Sequence, residues 1–303
     1  MTLPMPRRLF TFLFLILLTF SGCRTRTAPS ANSEILASNT VLADIARHVT
    51  GDTAAVASLL PPGADPHEYQ AAPADVQKAA YSRVLIVNGL GYEGFIDPLL
   101  EGAGGNHLVI TASDGLDARQ FTEVSGEPLS DPHMWLDPQL VIGYVETIRL
   151  GLATAFPQNS ETYRQNAQAY TAELQALDAW IKGQVEMIPS ERRLLVTNHA
   201  SMGYFAVRYG FTVVARILPG LSSESGASAR ELAAAIDEIK AVKAPAVFLG
   251  KLENPKLAEQ IAAETGAVVV DDLYLESLSE GPPADNYIDL MRHNVERIVQ
   301  ALR

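Results

Sequence analysis

The stretch ETYRQNAQAYTAELQALDAWIKGQVEMI, residues 161–188, decides the fold because it has the pattern of one long amphipathic helix. Its apolar residues recur at spacings of 4, 3, 4, 3 and 4 and therefore share one helical face: Tyr163, Ala167, Tyr170, Leu174, Leu177 and Ile181. At about 1.5 Å per residue, such a helix spans roughly 40 Å and can run along two small domains. The alternative is a surface helix packed on one domain.

Strand-like and helix-like segments alternate on both sides of this helix. Short, apolar, partly β-branched runs predict strands, and they occur at residues 55–60, 84–88, 194–197, 213–214, 246–249 and 267–270. Helical patterns lie around them at residues 41–49, 75–80, 202–209, 229–241 and 255–265, and Asp137-Pro138 is a typical helix start. This alternation predicts parallel βαβ units, and hence an α/β protein with two blocks of mostly parallel sheet.

Composition and charge narrow the class of protein. The chain has 303 residues, 48% of them hydrophobic and 19% charged, a globular balance with room for two domain-sized cores. The formal net charge is −12, which repels phosphate backbones, so we expect no nucleic-acid partner.

The N-terminus has the pattern of an export signal. Arg7 and Arg8 precede an uncharged apolar run at residues 9–20, which is too short for a transmembrane helix and fits a signal peptide over residues 1–22. Cys23, the only cysteine, follows Ser21 and Gly22 and resembles a lipobox cysteine. We therefore predict lipidation at Cys23, a flexible tether within residues 23–33, and an extracytoplasmic location. The alternative is a plain secretory signal with an incidental cysteine.

Three of the six histidines lie in stiffened loops or at a strand end. His67 lies in PPGADPHEY (61–69), His133 lies in DPHMWLDP (131–138), and His199 follows the strand at 194–197. Ligands of open α/β sheets bind at the carboxyl ends of strands, and rigid loops suit metal sites. Since no thiolate is available, three imidazoles and a carboxylate would make a plausible tetrahedral zinc site. Spacing alone does not show that the three histidines converge.

From residue 33 to 303 the sequence resembles the zinc/manganese-type solute-binding lipoproteins of bacterial ABC transporters, which include zinc-uptake periplasmic proteins and adhesin lipoproteins. The resemblance rests on four motifs: GADPHEY (63–69), DPHMWLDP (131–138), TNHASMGYFAVRYG (197–210) and ESLSEGPPADNYIDLMRHNV (276–295). It implies that His67, His133, His199 and Glu276 are the metal ligands. Glu276 stands where the family usually has Asp, so Asp271 and Asp272, or a water, remain alternatives for the fourth position.

The resemblance also implies an architecture. We expect an N-terminal α/β lobe over residues 34–160, a long rigid connecting helix over 161–188, and a C-terminal α/β lobe over 189–303. His67 and His133 would lie on the first lobe, with His199 and Glu276 on the second. The metal would be buried between the two lobes.

The function that the resemblance implies is capture of a divalent metal and delivery to an ABC permease and its ATPase, by a monomer anchored to the membrane through lipid. Three nitrogen ligands favour Zn²⁺, with Mn²⁺ or iron as alternatives. We do not expect an enzyme; a zinc hydrolase and an adhesin are the alternatives from other classes.

The remaining candidate residues have structural interpretations. His48 and His293 lie beside Arg47 and Arg292 in helical patterns, which predicts solvated faces, and His107 follows a Gly-rich turn. We expect Trp135 and Tyr204 to pack around the site and Asp137 to cap a helix, although a contact from Asp137 to a histidine ligand is conceivable.

Overall fold

The computed structural model describes residues 33–122, 128–218, 220–223 and 226–303. The predicted signal peptide, Cys23 and nearly all of the predicted tether lie outside the described residues, so these assignments stay predictions. In the part of the chain that is described, no helix is both long and apolar enough to cross a membrane.

The N-terminal sheet has four parallel strands in the order β2-β1-β3-β4. These strands are β1 (Ile35–Ala37), β2 (Val56–Ser58), β3 (Val84–Val87) and β4 (Leu108–Thr111), and the helices between them are α1 (Thr40–Thr50), α2 (Pro73–Tyr81) and α3 (Ile96–Ala103). All four residues of β3 are buried, as expected for a central parallel strand covered on both faces. The predicted strand at 55–60 is shorter in the structure, and α3 and β4 are additional elements.

A short antiparallel hairpin and two long helices follow this sheet. The hairpin pairs β5 (Gln120–Thr122) with β6 (Pro128–Ser130), and the helices are α4 (Pro138–Ala155) and α5 (Ser160–Val185). The prediction of one helix over 161–188 is correct in substance but too long at its end. Glu186 and Met187 form a turn instead, and Pro189 disfavours helical geometry at the residue before it.

The C-terminal sheet repeats the architecture with four parallel strands in the order β10-β9-β7-β8. The elements are β7 (Leu194–Thr197), α6 (Gly203–Tyr209), β8 (Thr212–Arg216), α7 (Ala229–Val242), β9 (Ala246–Gly250), α8 (Lys256–Thr265), β10 (Val268–Leu273) and α9 (Tyr287–Leu302). The predicted α/β class with two mostly parallel sheets joined by a long helix is therefore confirmed. The lobe boundaries at 34–160 and 189–303 stay predictions.

The hydrophobic core is continuous between the two sheets. Helix α5 packs against α1, α4 and α9, and its six predicted core residues are all buried. The chain has room for two separate cores, but the largest apolar cluster includes side chains from both sheets and from all four of these helices. The reason is that α9 returns from the second sheet to the first half of the chain, where the backbone N–H of Tyr287 donates a 2.9 Å hydrogen bond to Asp44 Oδ2.

Candidate metal centre

His67 is positioned by the proline-rich loop that follows β2. Asp65 Oδ1 accepts a 2.9 Å hydrogen bond from the backbone N–H of His67, which fixes the loop directly before the imidazole. The ring Nε2 is buried and has no hydrogen-bond partner among the described residues. A buried nitrogen without a partner is uncommon in a native fold and needs a ligand or another explanation.

His133 is held by the aspartate of its own motif. Asp131 Oδ1 accepts from both the backbone N–H of His133, at 3.0 Å, and its ring Nδ1, at 2.8 Å. Because a carboxylate only accepts, Nδ1 carries the proton and the Nε2 lone pair points the other way. Asp137 caps α4 by accepting from the backbone N–H of Gln139 at 2.9 Å, so its predicted role as a helix cap is confirmed.

His199 follows β7 and is fully buried. Its Nδ1 donates to Glu253 Oε1 at 2.9 Å, and this contact leaves Nε2 as the ring nitrogen available to a ligand. Glu253 lies after β9, the neighbour of β7, so the contact joins two strand ends of the C-terminal sheet.

Glu276 follows β10 and is 5% exposed. Its Oε2 accepts a 2.8 Å hydrogen bond from the hydroxyl of Tyr92, which follows β3. Its Oε1 is buried and, within the described part of the chain, has no hydrogen-bond partner. This oxygen lies 3.4 Å from His199 Nε2 and 3.7 Å from His133 Nε2.

The four side chains converge from opposite halves of the chain. Each of His67, His133, His199 and Glu276 offers one ligand atom, and these atoms all lie within 4.8 Å of one another. The Nε2 atoms of His133 and His199 are 3.4 Å apart. The alternative fourth residues are not part of this group: Asp271 is exposed, and Asp272 accepts from Arg297 at 2.8 Å.

Burial and charge set the protonation of the cluster. Burial lowers the pKa of His67 to about 4, so its imidazole is neutral at ordinary pH. Burial would also lower the pKa of His199, but the hydrogen bond to Glu253 and the contact with Glu276 outweigh it and raise the pKa to about 10. Burial would raise the pKa of Glu276, yet the neighbouring imidazoles lower it well below the usual range.

The ligand atoms of the cluster therefore face a common position. Carboxylates accept from the Nδ1 atoms of His133 and His199, so the Nε2 atoms of both rings are directed toward Glu276 Oε1. Converging acceptors repel one another unless a proton or a cation lies between them. A proton on His199 relieves part of this repulsion, and a divalent cation would relieve all of it.

Aromatic side chains pack around the cluster, as predicted for Trp135 and Tyr204. The Trp135 ring lies 5.2 Å from the His133 ring, and its Nε1 donates to the Leu275 carbonyl at 2.8 Å. The Tyr204 hydroxyl donates to the Asp131 carbonyl at 2.7 Å. These contacts fix the loop that carries His133.

The other three histidines lie away from the cluster. His48 stacks on Tyr170 with ring centroids 3.9 Å apart, and His293 lies 2.9 Å from the Asp272 carbonyl. The His48 side chain is 34% exposed and remains partly solvated, whereas the His293 side chain is 16% exposed, so the prediction of a solvated face is wrong for His293. His107 bonds to the Ser82 carbonyl at 2.8 Å, which is a structural role.

Three residues that contact the cluster were not identified from the sequence as contacts of the site: Tyr92, Asp131 and Glu253. Asp131 lies inside the DPH motif, where its carboxylate could have been assigned to the histidine two residues later. Tyr92 and Glu253 each follow a strand, β3 and β9, so a search of every strand end for polar residues would have found them.

Two parallel sheets with a buried cluster of three histidines and one carboxylate define a class of two-lobed α/β metal-binding proteins. Within that class, the family described as zinc-uptake complex component A, periplasmic, matches residues 35–301, and the chain belongs to this family. The predicted function as the solute-binding protein of a metal ABC transporter is confirmed.

Individual relatives differ in the metals they are named for. The manganese-binding lipoprotein MntA of Halalkalibacterium halodurans is 33% identical, covering 97% of this chain and 98% of its own. The iron-binding protein YfeA of Yersinia pestis is 33% identical, with 96% and 94% covered. A manganese-bound periplasmic metal-binding protein from Candidatus Liberibacter asiaticus superposes with a TM-score of 0.78 at 28% identity, covering 89% of this chain and 99% of its own.

Proposed function

We propose that this chain binds one divalent transition metal, with zinc preferred, through His67, His133, His199 and Glu276, and presents it to an ABC permease driven by an ATPase. The observation that carries this proposal is the convergence of four ligand atoms within 4.8 Å of one another, two of which, His67 Nε2 and Glu276 Oε1, are buried without a hydrogen-bond partner in the described ranges. Buried polar atoms without partners are costly, and a cation would satisfy them together.

Three of the six distances between the ligand atoms are close to those around a tetrahedral zinc ion. A tetrahedron with metal–ligand distances of about 2.0–2.1 Å has edges of about 3.3–3.4 Å. The measured edges among His133 Nε2, His199 Nε2 and Glu276 Oε1 are 3.4, 3.4 and 3.7 Å. A small adjustment of Glu276 completes this face of the tetrahedron.

The donor set supports zinc over manganese. Tyr92 holds Glu276 Oε2, which leaves Oε1 as the carboxylate's single ligand atom and gives three nitrogens and one oxygen. Nitrogen donors suit zinc, while manganese favours more oxygen ligands. Manganese or iron is the alternative cargo, because relatives are named for both.

The same donor set favours transport over catalysis. A catalytic zinc keeps a coordination position open for water, whereas the proposed site fills all four positions with side chains, three of them buried and His67 half-buried. A zinc hydrolase is therefore a poor fit. An adhesin role needs a separate binding surface and does not follow from the cluster.

The proposed location is outside the cytoplasm, at the periplasmic or cell-surface side, with the chain anchored as a monomer through lipid on Cys23. The sequence pattern of residues 1–23 supports this, as does the word lipoprotein in the name of the manganese-binding relative. Metal binding would bias the two lobes toward the state that the permease recognises.

Metal analysis of the purified protein tests the proposal. We expect one zinc per chain, and we expect His67→Ala, His133→Ala and His199→Ala each to lose most of it. His107→Ala is the matched control, because His107 makes structural contacts away from the cluster. Unchanged metal content in all three ligand variants would show that the cluster is not the site.

A further inference from the structure

Glu253 has a buried carboxylate that accepts hydrogen bonds from two neighbouring residues, His199 and Gly250. Its side chain is 2% exposed. Oε1 accepts from His199 Nδ1 at 2.9 Å, and Oε2 accepts from the backbone N–H of Gly250 at 2.6 Å. Each oxygen therefore has a donor, and one of those donors is the ring of a proposed metal ligand.

A tight turn after β9 brings this carboxylate into place. The backbone N–H of Glu253 donates to the Gly250 carbonyl at 3.0 Å, which folds the chain back before α8 begins. Gly250 leaves space for the returning side chain: a Cβ atom there would lie 3.3 Å from Glu253 Cδ and 3.5 Å from its Cγ. Local backbone geometry thus directs Glu253 toward β7.

We infer that Glu253 is a positioning residue that fixes the His199 ring with its proton on Nδ1 and its Nε2 lone pair toward the metal. This inference rests on the proposed function. A carboxylate cannot donate, so the proton of the contact must belong to Nδ1, and only Nε2 remains to bind. Partners of this kind orient metal-binding imidazoles and make them stronger ligands.

The chemistry requires a carboxylate at this position rather than an amide. Glutamine would offer one oxygen and one NH₂ to two donors, Gly250 N–H and His199 Nδ1–H. If its oxygen bonds Gly250, its NH₂ faces Nδ1 and drives the ring proton onto Nε2, the ligand atom. If its oxygen bonds His199, the NH₂ opposes the Gly250 N–H. Both orientations weaken the site.

Asp131 makes the equivalent contact to His133, which shows that the arrangement occurs twice in this cluster. The two carboxylates differ in their distance along the chain from the histidine that they contact. Asp131 precedes its histidine by two residues in the same motif, whereas Glu253 lies 54 residues after His199 on another strand end. Glu253 therefore connects the third ligand to the β9–α8 turn.

The test compares Glu253→Gln with Glu259→Gln. Glu259 is exposed in the first turn of α8, so its variant removes the same charge from the adjoining helix without touching His199. Zinc affinity is measured by competition with a chelator. We expect Glu253→Gln to bind about 10–100-fold more weakly than wild type, and Glu259→Gln to match wild type. Circular dichroism of the metal-free variants checks folding.

Nitrogen NMR of the imidazole rings in the zinc-loaded wild-type protein shows which ring nitrogen of His199 carries the proton and which binds zinc. We expect His199 to carry its proton on Nδ1 and zinc on Nε2, and this arrangement is tested even if Glu253→Gln fails to fold. Zinc on Nδ1, or wild-type affinity in a folded Glu253→Gln protein, would overturn it and leave the proposed function standing. A wild-type protein that binds no metal would overturn both.

Discussion

The Tyr92 hydroxyl donates a 2.8 Å hydrogen bond to Glu276 Oε2, although the two residues are 184 positions apart and follow strands of different sheets. The bond connects the two halves of the molecule through a proposed metal ligand. It also engages one of the two carboxylate oxygens, so that Oε1 is the oxygen left facing the histidines.

Tyr92→Phe is expected to reduce the preference for zinc over manganese. Loss of the hydroxyl frees Oε2, so Glu276 can bind through both oxygens, which suits manganese better than a tetrahedral zinc site. We expect zinc affinity to fall about tenfold, with manganese affected less. Competition between the two metals measures the ratio. Tyr69→Phe is the matched control, because the Tyr69 hydroxyl bonds Asp75 and contacts none of the four ligands; equal ratios in both variants would contradict this account.

Metal binding is expected to release about one proton at pH 7–8. The hydrogen bond to Glu253 and the contact with Glu276 raise the pKa of His199 to about 10, so the metal must displace a proton from this ring. His67, whose pKa burial lowers to about 4, releases none in this range. The apparent affinity for the metal therefore rises with pH until about pH 10 and then levels off.

Calorimetry in two buffers of different ionisation enthalpy measures this proton directly. The apparent binding enthalpy should change with the buffer by the difference in ionisation enthalpy multiplied by about one proton. At pH 11 the buffer dependence should be much smaller. Identical enthalpies in both buffers at pH 7.5 would contradict a protonated His199 in the metal-free protein.

Local patterns predicted the elements but not the contacts between them. The strand predicted at 194–197 matches β7 residue for residue, and all six apolar residues predicted on one face of α5 are buried. Edge strand β4 was missed, although Leu108, Val109 and Ile110 form a short apolar run; in the structure Val109 is exposed at the edge of the sheet.

For the candidate site, too, local motifs predicted individual residues but not the contacts between distant parts of the chain. His67, His133 and His199 were found because their motifs are local. Glu276 and the aspartates at 271 and 272 could be separated only once the strand end was seen in three dimensions. Tyr92 and Glu253 reach the cluster from distant strand ends, so no spacing along the chain records them.

Asp178→Asn is expected to destabilise the metal-free protein by about 2 kcal/mol at pH 7. Asp178 on α5 accepts from Arg208 at 3.0 and 2.6 Å and from the Tyr209 hydroxyl at 3.0 Å, which ties α5 to α6, the helix after His199. Burial would raise the pKa of Asp178, but these hydrogen bonds, with one from Lys182, lower it. The stabilisation is therefore present above the unfolded pKa and is lost as pH falls through the folded one.

Urea unfolding at pH 7 and at pH 3 measures this pH dependence. The difference between wild type and Asp178→Asn should shrink at the lower pH, because pH 3 lies below the ordinary aspartate pKa of 3.8, where this stabilisation begins to be lost. Glu173→Gln, on the exposed side of α5, is the control and should leave the free energy of unfolding unchanged within about 0.5 kcal/mol. The same destabilisation at both pH values would assign the effect to packing.

Ser223→Ala is expected to speed zinc dissociation about fivefold while preserving all four proposed ligands. The Ser223 hydroxyl donates to Asp65 Oδ2 at 2.6 Å, and the other oxygen of Asp65 fixes the His67 backbone. One hydrogen bond across the two halves of the chain contributes about 1 kcal/mol, which corresponds to that factor. Stopped-flow release into a chelator measures the rate. Ser190→Ala, in the exposed turn after α5, should dissociate like wild type. If Ser223→Ala did the same, the contact between Asp65 and Ser223 would not restrain the His67 loop during release.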